Sequence, residues 1–219
     1  MLKLSIIYLL IFTIKCEFHG IDISVWQGPN VDFKKVKQSN INFVILRAGI
    51  GYGAKDKYFE DNYKRAKEAG LNVGVYWYSK ALSIKQSTEE AKLCLDALKG
   101  KKLEYPVYYD IEEKNLFNKG KDLTSQIAQN FCSFMEQHKY FCGIYASLYY
   151  FNTYFTSEVK QKYSIWVAQY NSKCDYKGSY HMWQRSSKGS VPGIKGNVDM
   201  DISYLDFPSI IKKNKLNGY

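Results

Sequence analysis

Phe43-Val44-Ile45-Leu46-Arg47-Ala48-Gly49, a polar helical run from Tyr58 to Ala69 stopped by Gly70, and Val73-Gly74-Val75-Tyr76-Trp77-Tyr78 follow one another in the chain. This strand–helix–strand succession decides the fold. Both strand-like runs are apolar without strict alternation, the signature of strands buried on both faces in a helix-covered parallel sheet. The same grammar extends in both directions. Upstream, Ile21 to Trp26 reads as a first short strand, followed by a Gly28-Pro29-Asn30 turn and a helix from Asp32 to Gln38. Downstream, Ser87 and Glu90 stand at capping-box spacing ahead of a helix that stops near Gly100. Pro106 to Ile111 then reads as a strand, Thr124 to His138 as a helix and Ile144 to Ala146 as a strand.

Beyond this point the pattern changes. Ile165 to Gln169, His181 to Gln184 and Val198 to Ile202 read as three further strands. The intervals between them hold no amphipathic helix and are shorter than a parallel crossover needs. The expected fold is therefore α/β: a modified TIM-type barrel of about five β/α units, followed by three strands lacking outer helices. No linker, repeat or low-complexity tract interrupts it, so residues 17–219 read as one catalytic domain.

Residues 1–16 read as a signal peptide. Lys3 precedes an apolar run, Leu4 to Ile14, that is too short to span a bilayer. Secretion, or delivery to an endolysosomal or phagosomal lumen, is the expected route. No second apolar stretch reaches spanning length, so no stable membrane insertion is expected. If Cys16 leaves with the signal, Cys94, Cys132, Cys142 and Cys174 remain in an oxidising compartment. Their spacings fit no zinc pattern. Cys94 and Cys132 lie on expected outer helices after consecutive strands, Cys142 precedes the fifth strand and Cys174 follows the sixth. Four cysteines allow three pairings, of which Cys94–Cys132 with Cys142–Cys174 is the expected one. Cys142 and Cys174 come from opposite strand ends and meet only if the loop around Cys174 folds back.

The formal net charge is +10; without Lys3 and Lys15, 29 basic residues face 21 acidic ones, leaving +8. Such a surface is drawn to polyanions, among them bacterial walls. Nucleic acid is disfavoured by the signal and by the absence of a recognisable binding motif. The 20 Tyr and 12 Phe fill a core and also suit a groove in which rings stack on sugar faces.

Tyr108-Tyr109-Asp110-Ile111-Glu112-Glu113 lies at the carboxyl end of an expected barrel strand, where barrel enzymes place their chemistry. Asp110 and Glu112 are two apart and leave an extended chain on one face. Two close carboxyls push one pKa upward, leaving one protonated acid beside one charged partner, which glycosidic cleavage requires. Acidic residues at strand ends also simply cap loops. More carboxyls occupy matching positions, however: Asp22 sits among apolar neighbours in the first strand, and Asp199 and Asp201 fall in the last. Closing an eight-stranded barrel makes the first and last strands neighbours, so Asp22 and Asp199 converge.

At this point the motifs together resemble glycoside hydrolase family 25, the Chalaropsis-type lysozymes. They are Gly20-Ile21-Asp22-Ile23-Ser24-Val25-Trp26-Gln27-Gly28, the Phe43–Gly49 and Asn72–Ser79 strands, Tyr109-Asp110-Ile111-Glu112, Ile165–Tyr170, Met182-Trp183-Gln184 and Gly196–Asp199. The likeness spans about residues 20–207. It implies the barrel described above and N-acetylmuramidase activity, hydrolysis of the β-1,4 bond between N-acetylmuramic acid and N-acetylglucosamine of peptidoglycan. It maps the catalytic carboxyls onto Asp22, Asp110, Glu112 and Asp199, with Glu112 as the acid. Two departures stand out. Glu113 is an extra carboxylate that alternation points away from the site, and the last strand reads Asp199-Met200-Asp201 where Asp-x-Asn is expected.

Trp26, Arg47, Tyr76, Tyr78, Trp166, Gln169 and Trp183 are the candidate substrate-binding residues. His19, His138 and His181 show no spacing that suggests a metal or a triad, no cofactor motif is present, and the enzyme is expected to act as a monomer. A chitinase shares the barrel and an acidic strand end. Against it, Tyr105 and Tyr108 stand where its longer Asp-x-x-Asp-x-Asp-x-Glu pattern would need aspartates. A sugar-binding lectin on the same barrel would not need all of Asp22, Asp110, Glu112 and Asp199.

Overall fold

The computed structural model describes residues 17–219; the expected signal peptide, with Cys16, lies outside the described residues. Eight strands close a barrel: β1 (Phe18–Ile23), β2 (Phe43–Ile50), β4 (Asn72–Tyr78), β5 (Val107–Asp110), β6 (Cys142–Ser147), β7 (Ser164–Ala168), β8 (Met182–Gly189) and β9 (Val198–Ser203). A two-residue strand, β3 (Ala54–Lys55), pairs only with β2 as a hairpin. Closure comes from β1, which pairs parallel with β2 and antiparallel with β9. The β8–β9 pair is antiparallel as well, so the barrel is mixed.

Helices α1 (Phe33–Gln38), α2 (Phe59–Glu68), α3 (Ile84–Ala97), α4 (Lys114–Phe117), α5 (Lys121–Gln137), α6 (Leu148–Tyr154) and α7 (Ser157–Lys162) follow the first five barrel strands. No helix intervenes from β7 to β9. Local chemistry sets the helix ends. The Asp32 carboxylate accepts the Lys35 N–H at 3.2 Å to start α1, and Gly70 stops α2 at φ 76°, a conformation that costs glycine little. One boundary corrects the sequence reading. The cap of α3 is Ser83, whose Oγ accepts from Gln86 N while the Gln86 side chain takes the Leu82 N–H. Ser87 and Glu90 lie a turn or more inside the helix, both fully buried.

Alternation sorts strand side chains into two cores. Val44, Leu46, Val73, Val75, Val107, Tyr109, Ile144 and Ile165 face outward and pack beneath the helices. Phe43, Ile45, Tyr108, Tyr145, Trp166 and Met182 face inward and fill the barrel. Each such side chain contributes roughly 1.5–3 kcal/mol by leaving water. The pleat therefore makes the strands read as continuous apolar runs. A last helix, α8 (Phe207–Lys213), was not anticipated by the strand–helix grammar. Its Phe207 and Ile211 join the interior core, with the Phe207 ring 5.4 Å from Tyr105 and 5.7 Å from Phe141. It closes the amino end of the barrel.

The cysteines are arranged differently from the expected pairing, and none of Cys94, Cys132, Cys142 and Cys174 is in a disulfide. Cys94 and Cys132 do lie on the packed helices α3 and α5. The sulfur nearest Cys132, however, is that of Cys142 on β6, at 3.0 Å. Outward alternation on β6 aims Cys142 at α5, whereas Cys174 lies in the β7–β8 connection, where it interacts with Tyr180.

Gly20 faces into the barrel, paired with Phe43 of β2, and the Phe43 ring occupies the space that a Cβ at position 20 would need. Gly20→Ala is expected to lower stability by about 1–3 kcal/mol. A urea melt should show a lower midpoint with an unchanged slope.

Candidate active site

The carboxyl ends of the parallel strands form an open mouth, and antiparallel β9 brings its amino-terminal residues to the same end. A cavity of about 260 Å³ opens there, lined by Asp22, Asp110, Glu112 and Asp199 together with Trp26, Arg47, Tyr76, Tyr78 and Trp166. Asp22 and Asp199 stand directly opposite each other in the β1–β9 ladder. Asp110 ends β5 and Glu112 follows two residues later, so both enter the cavity.

Neutral side chains fix the acids from below. Gln184 Nε2 donates to Asp22 Oδ2 at 2.7 Å. The Gln184 carbonyl oxygen accepts from the hydroxyls of Tyr145 at 2.8 Å and Tyr170 at 3.1 Å, which sets the orientation of the amide. Trp166 Nε1 donates to Asp201 Oδ1 at 2.9 Å. Arg47 is the cation of the site. Its Nε and Nη2 lie 2.9 and 2.8 Å from Asp56 Oδ2, and the buried Asp56 also accepts the Val25 and Tyr58 N–H groups. The guanidinium is thereby anchored at the wall while its charge still reaches Asp110.

Behind β5, Tyr109 donates to Glu90 Oε2 at 2.6 Å and accepts from Ser79 Oγ at 2.8 Å. The Lys80 N–H donates to the other Glu90 oxygen at 2.8 Å. Glu90 therefore ties α3 to the strand that carries Asp110. Glu113 turns away from the cavity floor, accepting from Tyr78 at 3.1 Å and pairing with Lys80. Its charge still acts on Glu112.

Every carboxyl of the cluster sits above its ordinary range. Burial is the main cause for Asp22 and Asp110, both pushed well up, with neighbouring acids adding to it: Asp199 first for Asp22, Glu112 first for Asp110. Arg47 partly offsets the rise at Asp110. Glu112 is raised by burial and then by Asp199 and Glu113, and Asp199 is raised by burial. Like charges in a dry site cannot all ionise, so the cluster retains protons where an isolated carboxyl would not. Glu112 is only half-buried and meets the open cleft, whereas Asp110 is buried beneath it. Among the described residues no group of three or more His, Cys, Asp or Glu is arranged to hold a metal ion.

Two expected substrate contacts lie outside the cavity lining. Trp183 falls between inward Met182 and Gln184, so the pleat turns it outward, where its Nε1 donates to Gln169 O at 2.8 Å. Gln169 is engaged by Asp175, which takes its amide proton and gives it a backbone N–H, both at 2.7 Å. Conversely, Gln184, Tyr145, Tyr170, Ser24 and Gln27 line the cavity without having been singled out. Gln184 carried a legible signal, being a polar residue at an inward position of a buried strand. At the rim, Trp26 is 85% exposed and Tyr170 59% exposed.

Residues 21–194 match glycosyl hydrolases family 25. The chain is 32% identical over 183 residues to the autolytic lysozyme of Clostridium acetobutylicum, covering 83% of this chain and 54% of that protein. It thus spans about half the length of that relative. Among solved structures it is similar to the modular autolysin LytC of Streptococcus pneumoniae in complex with a synthetic peptidoglycan ligand. There the TM-score is 0.79 and the identity 28%, over 86% of this chain and 47% of that one. The bacterial lysozyme of Streptomyces coelicolor shares the fold at TM-score 0.79 and 23% identity, over 90% of this chain and 98% of that one.

The raised carboxyls make a stability prediction. Because the folded pKa of Asp110 exceeds the unfolded one, the native state binds the proton more tightly. Stability is then highest below the unfolded pKa, near 4, and falls as pH rises through the folded value. Asp110→Asn is expected to raise Tm at pH 7, by roughly 2–4 °C for each kcal/mol of repulsion removed. The gain should vanish below about pH 4. Calorimetry of both proteins across this range checks it.

Proposed function

Because the chain belongs to glycosyl hydrolases family 25, we propose that it is a secreted lysozyme that hydrolyses bacterial peptidoglycan at the β-1,4 bond between N-acetylmuramic acid and N-acetylglucosamine. The observation that carries this reading is the convergence of Asp22, Asp110, Glu112 and Asp199 on one open cavity rimmed by aromatic rings. The autolytic lysozyme relative and the peptidoglycan-bound neighbour support the choice of substrate.

In this reading Glu112, raised and facing the cleft, protonates the leaving sugar oxygen. Asp110 is held beneath it on the same face and steers the substrate's 2-acetamido group or stabilises the oxocarbenium-like transition state. Asp22 and Asp199 hold the sugar and keep the Glu112–Asp110 pair's protons in place. Trp26 and Tyr170 offer ring faces to neighbouring sugars. The excess positive charge speeds encounter with the anionic wall, and residues 1–16 direct export. The protein acts as a monomer.

Purified protein is expected to clear a bacterial wall suspension and to leave chitin intact. Glu112→Gln keeps size and hydrogen bonding but removes the transferable proton, so lysis should fall by about 10²–10⁴-fold with wall binding retained. Activity should decline as pH rises through the raised pKa of Glu112, giving an optimum on the acid side of neutral. Near-normal turnover of Glu112→Gln in a turbidity assay would assign the acid elsewhere. Because Asp110 lies beside Glu112 and not across the sugar from it, net retention without a covalent enzyme–sugar intermediate is expected. Proton NMR should show the β-anomer as the first product; an initial α-anomer would refute this route.

A further inference from the structure

Asp201 is the one carboxyl of the cluster to which the catalytic scheme gives no role. It is 1% exposed, deeper than Glu112 or Asp199. Its Oδ1 accepts from Trp166 Nε1 at 2.9 Å, but its Oδ2 is buried without a donor. Across the β8–β9 ladder it faces Gln184, and across the β1–β9 ladder it faces Gly20, which puts Asp22 two residues along on the same inward face. That register makes Asp22 and Asp201 inward neighbours on adjoining strands, close enough for each carboxyl's charge to act on the other.

Two carboxyls buried side by side inside a barrel do not both ionise, so the pair retains a proton. The surrounding donors decide where it sits. Tyr145 and Tyr170 both donate to the Gln184 oxygen, which obliges the Gln184 nitrogen to donate to Asp22. Asp22 is therefore the acceptor of the pair. A proton on Asp201 Oδ2 converts an orphan buried acceptor into a donor and removes the only unsatisfied atom of that side chain.

We infer that Asp201 is a positioning residue that works as a neutral carboxyl, donating from Oδ2 to Asp22 and, with Gln184, fixing the orientation of the Asp22 carboxyl group at the cavity floor. The groups around Asp201 favour this state. Burial and then the carboxyls of Asp22, from β1, and Asp199, on its own strand, push its pKa well up. From β5 it is met by the neutral hydroxyl of Tyr108, from β7 by the Trp166 indole, and from β8 by the Gln184 amide. The Trp166 hydrogen bond is the one contact that opposes the rise. The inference deepens the proposed hydrolytic reading, because it gives Asp22 its orientation in that reaction.

Two substitutions separate the donor from the charge. Asp201→Asn keeps the shape and an N–H donor but cannot ionise, and Asp201→Leu keeps the bulk without a donor. Asp201→Asn is expected to retain kcat and KM for wall lysis within about threefold and to extend activity at alkaline pH. Asp201→Leu should lose about 10–100-fold in kcat, the cost of leaving a buried Asp22 oxygen without its donor. An Asp201→Asn protein as impaired as Asp201→Leu, or an active Asp201→Leu, would overturn the assignment. If Asp201→Leu does not fold, a ¹³C titration of carboxyl-labelled wild-type protein decides without it, with the Asp201 signal assigned by its absence in Asp201→Asn. That signal should stay at its protonated position up to neutral pH; a midpoint near 4 would refute the inference. Since the titration requires no turnover, wild-type protein that lyses no walls would count against the proposed reaction and leave the Asp201 result standing.

Discussion

Everything in this molecule depends on β1 pairing with β2 on one side and β9 on the other. Those contacts join the two ends of the chain and turn an open sheet into a closed wall. They also bring Asp22 to Gln184, 162 residues later, and set it opposite Asp199. Without closure the acids of the first and last strands would be surface carboxylates at ordinary pKa. With closure they share a dry floor in which charge is expensive and protons are retained. The site's chemistry is thus a consequence of topology as much as of residue identity.

The barrel meets the cost of that cluster by surrounding it with neutral donors. Gln184, Trp166, Tyr145 and Tyr170 form a frame in which each polar atom is oriented by the next. The cavity's arginine, Arg47, is held at the wall by Asp56 and acts on Asp110 at a distance. Direct pairing of Arg47 with Asp110 would have kept that acid ionised. The arrangement instead moderates the repulsion without abolishing it, in the manner of sites that give up stability for function.

Much of this was legible in the sequence because a barrel strand buried on both faces must be apolar throughout, so any acid within it stands out. Asp22, Asp110 and Glu112 were visible for that reason, and the absence of helices between β7 and β9 followed from interval length. What was not legible depended on which face a residue takes and on contacts far along the chain. Trp183 shares a strand with Gln184, and only the pleat decides that the amide enters the cavity while the indole leaves it. Strand β8 continues to Gly189 through Arg185, Ser186, Ser187 and Lys188, a polar stretch that ends the apolar signal at Gln184. Two register irregularities within the β8–β9 pair carry that extension. Ser87 and Glu90 imitated a capping box because spacing alone cannot show that a helix has already begun at Ser83. The cysteines misled for a related reason: neighbouring helices say nothing about which way a thiol is turned.

The helix that plugs the barrel also determines how a long molecule can reach the acids. Phe207 and Ile211 seal the amino end, and Phe43, Tyr105 and Tyr108 fill the interior above them. No polymer can be threaded through such a body from its tip. In the proposed reaction a polymer would instead lie across the open mouth, beside the exposed rings of Trp26 and Tyr170. Under the proposed hydrolysis, a site reached only across its mouth accepts internal positions of an extended strand, so that each cut would open a mesh from within instead of trimming it from its ends.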